Sequence, residues 1–118
     1  HSKCLKEFIS HFYVNYCKGV KMPIWKNCTA DIYYRDEEAS LNVSGYEIRI
    51  DDNYMALSYK EDSIWVVYEG HDIGGGHFNL CSQEVDGHSM LHRVDEDVFE
   101  GSWEEDGCRG MWRFYLTE

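Results

Sequence analysis

Basic side chains are scarce in this sequence: 11 Lys and Arg stand against 22 Asp and Glu among 118 residues, a formal net charge of −11. Affinity for nucleic acid comes mostly from Lys and Arg neutralising phosphates, so DNA and RNA are not expected partners. Long apolar runs are missing as well. None approaches the ~20 residues of a membrane-spanning helix, and no basic start, apolar stretch and small-residue cleavage site marks a signal peptide; a water-soluble chain with no membrane partner is expected. The five cysteines, Cys4, Cys17, Cys28, Cys81 and Cys108, form no C-x-x-C pair, which excludes a zinc ribbon and a thioredoxin-type motif. Their odd number leaves at least one thiol unpaired, and reduced cysteines in a cytoplasmic protein are favoured over two disulfides in a secreted one.

Aromatic residues, by contrast, are plentiful. Nine Tyr, five Phe and four Trp, with 43% hydrophobic residues, exclude a disordered chain. A chain of this length hides roughly two-thirds of its unfolded surface on folding, enough for one core, so residues 1–118 are expected to form a single domain.

The first periodicity is helical. Leu5, Phe8, Ile9, Phe12, Tyr13 and Tyr16 share one side of a ~100° wheel and Lys3, Lys6, Glu7, Ser10, His11 and Lys18 the other. Ser2 can cap the start, and Gly19 followed by Pro23 ends it, predicting an amphipathic helix over 3–18 whose aromatic stripe faces a core. Charge divides at the same place: residues 1–30 hold five Lys and one acid, residues 31–118 six bases and 21 acids. The helix lysines therefore face an acidic sheet or an acidic partner.

From Cys28 the period becomes 2, with β-branched and aromatic residues alternating with polar ones. Two-residue turns at Ser44-Gly45, Asp52-Asn53 and Glu61-Asp62 bring Val43 and Leu41 opposite Tyr46 and Ile48, Ile50 and Ile48 opposite Met55 and Leu57, and Tyr59 and Leu57 opposite Ile64 and Val66. All three registers agree on one apolar face, and a one-residue slip would reverse it. In the last hairpin, a type I′ turn at Asp106-Gly107 pairs Glu104 with Arg109 and Glu100 with Arg113 on a wet face. On the other face Phe99 meets Phe114, Trp103 covers Gly110 and Trp112 covers Gly101. Between these halves, a turn at Asp86-Gly87 places Gln83 opposite Met90 and Cys81 opposite His92. A three-residue turn over 95–97 then buries Phe78 and Leu91, whereas a two-residue turn at Asp95-Glu96 would bury the polar face; burial of the apolar pair is favoured because buried polar groups need partners.

Chemistry is sparsely written. Facing Cys81 and His92 would be a nucleophile and base, the weak catalytic candidates; a packed thiol is the simpler reading. His88 and His92 are too far apart along one strand to hold one ion, ~13 Å at ~3.3 Å per residue, and a cross-strand pairing of His77 with His92 competes with ordinary surface histidines, so no metal and no cofactor is expected. The stretch Gly70-His71-Asp72-Ile73-Gly74-Gly75-Gly76 matches no phosphate-binding loop. Its His71, Asp72 and the following His77 are read as a loop rim over a pocket. The acidic runs fall at turns and lack a calcium-loop pattern.

The expected architecture is mainly β: the N-terminal helix, then an antiparallel meander of about nine strands over 28–116, curled into a barrel or a strongly bent sheet. Gly101-Ser102-Trp103 followed by Gly110-Met111-Trp112 resembles the Gly-x-Trp usage of calycin-type barrels such as lipocalins, here on the last hairpin instead of the first strand. Barrels of about eight strands are filled solid or hold one small molecule. The leading expectation is therefore a noncatalytic module binding a small apolar or aromatic ligand among Tyr46, Tyr59, Tyr68, Trp103 and Trp112. Second comes a protein-interaction module or homodimer using the helix or an open sheet face, and third an enzyme built on the Cys81 and His92 region.

Overall fold

A computed structural model describes residues 24–117. Eight strands follow one another in sequence: β1 (Ile24–Tyr34), β2 (Ser40–Asp51), β3 (Tyr54–Glu61), β4 (Ile64–Asp72), β5 (His77–Ser82), β6 (Gly87–Asp95), β7 (Val98–Glu105) and β8 (Cys108–Tyr115). Each is antiparallel to the next, and β8 pairs with β1, so the sheet is a closed barrel. The helix expected over 3–18 lies outside the described residues.

The difference between about nine strands and eight comes from one position. Ser44-Gly45 does not reverse the chain; β2 runs through it. Cys28 pairs with Tyr46 and Ala30 with Val43, two residues on β1 against three on β2, which is a β-bulge. In an unbroken strand Val43 and Tyr46 would point to opposite faces, yet both pack against the core. A break in the alternation that could be relieved by a turn is relieved by an extra residue, with Gly45 at φ +94.

Elsewhere the expected registers are found or displaced by two residues. Ile50 faces Met55, Ile48 faces Leu57 and Tyr46 faces Tyr59 across the Asp52-Asn53 turn. The next turn is Asp62-Ser63, both at positive φ, and not Glu61-Asp62, so Tyr59 meets Val66 instead of Ile64. A slip of two residues keeps every side chain on its own face. The Asp106-Gly107 hairpin pairs Phe99 with Phe114, Trp103 with Gly110, Gly101 with Trp112 and Glu100 with Arg113. Arg113 donates to Glu100 Oε1 from Nε at 2.8 Å on the exposed side.

The β5–β6 hairpin is where the register expectation fails. Its connection is four residues long, 83–86, so Cys81 faces His88, and His92 faces His77. Phe78 and Leu91 face each other and are buried, as the favoured inward face requires. Arg93 aligns with Phe99, with a bulge before Asp95.

The barrel interior is mostly solid. Ile48, Met55, Leu57, Tyr68, Leu80, Leu91 and Phe114 are fully buried, and Val66, Phe78 and Phe99 nearly so. Three glycines make this packing possible. A Cβ on Gly87 would lie 2.6 Å from Tyr68 Cζ, one on Gly110 2.9 Å from Trp103 Cζ2, and one on Gly101 2.7 Å from the Met90 carbonyl carbon. Trp103 thus covers Gly110 as expected, although the β1 backbone at the Tyr33 carbonyl comes closer still; Gly101 is needed for the approach of the β6 backbone and not, as expected, for Trp112, and Gly87 for the tyrosine that crosses it. Two polar links lie inside the wall: Trp112 Nε1 donates to Ser89 Oγ at 3.0 Å, and Ser89 Oγ donates to the Ser102 carbonyl at 2.6 Å.

Candidate functional site

At the end of the barrel where β1, β3 and β7 finish and β2, β4 and β8 begin, the packing stops short of the rim. Inward positions there leave a half-open cavity of about 190 Å3, lined by Ile32, Tyr34, Tyr46, Tyr59, Glu61, Trp103, Glu105 and Trp112. The alternation of each strand delivers these side chains. Phe99, Gly101, Trp103 and Glu105 follow one face of β7, Tyr46 and Tyr59 are cross-strand partners, and Trp112 projects from β8.

The rings brace one another. Tyr34 meets Trp103 edge-on at 5.8 Å between centroids, Tyr46 lies 5.2 Å from Tyr59, and Trp112 packs edge-on against Tyr68 at 5.1 Å and Phe114 at 5.0 Å. Such edge-to-face pairs hold orientation as well as bury area.

A carboxylate sits among them. Glu105 Oε1 accepts hydrogen bonds from the hydroxyls of Tyr59, at 3.2 Å, and Tyr68. Burial, with the Glu105 carboxylate beside them, holds both phenols well above the usual tyrosine range; Tyr46 is shifted the same way, chiefly by burial. These tyrosines are therefore neutral donors at any ordinary pH, and Glu105 is fixed in place by two of them.

Of the five tyrosines and tryptophans expected to bind a ligand, Tyr46, Tyr59, Trp103 and Trp112 line this cavity, while Tyr68 lies beneath it as a support for Glu105 and Trp112. Sequence reasoning missed Tyr34, Ile32, Glu61 and Glu105. Glu105 continues the alternation Phe99, Gly101, Trp103, but it stands in the acidic run Glu104-Glu105-Asp106, whose place at a turn points to solvent.

The residues expected as a loop rim, His71, Asp72 and His77, lie at the opposite end. Asp72 Oδ1 accepts from Gly74 N at 2.7 Å and Asp72 Oδ2 from Gly76 N at 3.2 Å, so this carboxylate shapes its own loop. His77 Nδ1 lies 3.1 Å from the Gly74 carbonyl, and the His77 and His92 rings are 5.3 Å apart. His71 packs edge-on to Tyr54. Among the described residues no three His, Cys, Asp or Glu side chains converge as a metal site. The catalytic candidates separate: Cys81 is opposite His88 and, against the expectation of reduced cysteines, is disulfide-bonded, so it holds no thiol to be activated, and His92 is four cross-strand pairs away. The register difference in the β5–β6 hairpin is the cause.

A larger hollow of about 340 Å3 lies on the outer wall, lined by Glu47, Arg49, Ala56, Ser58, Trp65, Val67 and Glu69. It lacks the mouth's enclosing rings. Compared with protein-family models, curated proteins and solved structures, the chain has no match.

Proposed function

We propose that this barrel is a noncatalytic binding module that takes a small, largely apolar or aromatic molecule into its mouth. One observation carries the reading: a closed barrel whose described inward side chains are largely buried keeps a cavity at one end, walled by Tyr34, Tyr46, Tyr59, Trp103 and Trp112. Binding pockets are concave, mainly apolar, and set with a few polar groups. At about 190 Å3 the space is smaller than the ~300–1,000 Å3 of sites for drug-sized ligands, so it suits a single-ring molecule or the head of a longer one. Separation of Cys81 from His92 and the disulfide at Cys81 support binding over catalysis.

Calorimetric titration with indole tests this, alongside native mass spectrometry of gently purified protein. Wild type is expected to bind with saturation, and Ile32→Trp, which fills the mouth, to lose that binding while keeping the fold. Equal heats from both proteins, or none from wild type, would remove the proposal.

A further inference from the structure

The cavity lining carries charge of one sign. We infer that its ligand is an organic cation, a primary amine or quaternary ammonium carried on a small apolar body. This rests on the mouth being the binding site and adds the class of molecule it takes.

Three features lead there. First, both charged residues lining the cavity are acids, Glu61 and Glu105, and no Lys, Arg or His is among the described lining residues. Second, Tyr59 and Tyr68 both donate to Oε1 of Glu105, leaving Oε2 unclaimed among the described residues. A carboxylate covered by a neutral apolar ligand would lose water without gaining a partner, which is costly, and an anion would be repelled. An ammonium would gain a charge-assisted hydrogen bond from a carboxylate already held in position. Third, five aromatic rings line the same cavity, and an aromatic face attracts a cation while ring area covers its apolar body. A bare divalent ion is a poor fit, because it needs six or so oxygen ligands where the cavity offers two carboxylates among rings. The net charge of −11 attracts cations to the surface as a whole.

Three probes of nearly equal shape separate charge from cavity: phenethylamine, phenethyl alcohol and phenylacetate, titrated calorimetrically into the full chain. The amine is expected to bind at least about tenfold more tightly than the alcohol, and phenylacetate most weakly. Glu105→Gln is expected to abolish the preference, bringing the amine to the alcohol's affinity in the same variant. An alcohol or acid that binds as well as the amine would overturn the charge inference and leave the binding site standing. Amine binding that ignores Glu105→Gln would also overturn it, and silence from all three probes would overturn both readings. Should Glu105→Gln fail to fold, the wild-type order of the three probes decides alone.

Discussion

Tyr68 donates its phenolic hydrogen to Glu105, tying the middle of β4 to the last residue of β7 across the barrel. Tyr59 reaches the same oxygen from β3. One carboxylate therefore collects two strands at the mouth, and its removal has consequences for stability.

Glu105→Leu strips the acceptor from two phenols and is expected to cost about 1–3 kcal/mol, the usual penalty for stranding buried or half-buried donors. Glu105→Gln keeps an acceptor oxygen and is expected to cost less. Urea unfolding of the two variants against wild type measures the difference. A Leu variant as stable as wild type would show that the phenols find other partners.

Gly87 lies directly under the Tyr68 ring, where a Cβ would sit 2.9 Å from Cε2. Gly87→Ala is expected to push the ring aside, lengthen its bond to Glu105 and destabilise by about 1–3 kcal/mol, as overpacking does. Gly107→Ala is the contrast, because nothing lies within 4 Å of its Cβ and the φ of +84 is its only demand. Pairing Gly87→Ala with Tyr68→Phe should relieve part of the cost; purely additive losses would place the strain elsewhere.

Tyr46, Tyr54, Tyr59 and Tyr68 all have their phenols held above the ordinary value of 10.0, with burial the largest cause in each. Because the folded state keeps these protons more tightly, the stabilisation is fully present below about pH 10 and is lost as pH rises toward the folded values. Stability should thus fall steeply in alkali, and tyrosinate absorbance should show buried tyrosines ionising only together with unfolding. A smooth titration of all tyrosines in the folded protein near pH 10 would contradict this placement.

Two described cysteines carry thiols, and they differ in kind. Cys28 is fully buried, with its thiol pushed up mainly by that burial, while Cys108 is exposed beside the last hairpin turn. A thiol-reactive dye is expected to label Cys108 promptly and Cys28 only after denaturation, since thiolate and access together govern the rate. Mass spectrometry of the labelled peptides distinguishes them.

Much of the fold was legible because the interior enforces parity. Where turns carried both shape and pattern, as at Asp106-Gly107, the whole hairpin could be read, down to Trp103 over Gly110. The turn after β3 was misplaced by one residue, yet no face changed, because a displaced two-residue turn moves the register by two. The Ser44-Gly45 bulge was hidden because a glycine at a phase break fits a bulge and a reversal equally well, and only pairing with β1 decides. The β5–β6 register was hidden because Asp-Gly is a strong turn signal, whereas the chain uses a four-residue connection and puts Gly87 in β6 under Tyr68. At the candidate site the rings were found by their inward alternation. The carboxylate was missed because an acid beside a turn is ordinarily solvated, and its role follows only from Tyr59 and Tyr68 arriving from other strands.

Closure of β8 on β1 also joins the two ends of the described chain. Every other pairing joins neighbours in sequence and can form locally, but Asp31 and Tyr115, hydrogen-bonded at 3.0 Å, stand 84 residues apart. Bringing such ends together costs on the order of 4 kcal/mol in chain entropy by the logarithmic loop law, and contacts of that separation slow folding. Ile32 and Tyr34 come from β1 and Trp112 from β8, so these walls of the mouth meet only when that closure occurs. The cavity is completed by the pairing most distant in sequence, and a molecule bound there would act as a clasp across the seam of the barrel.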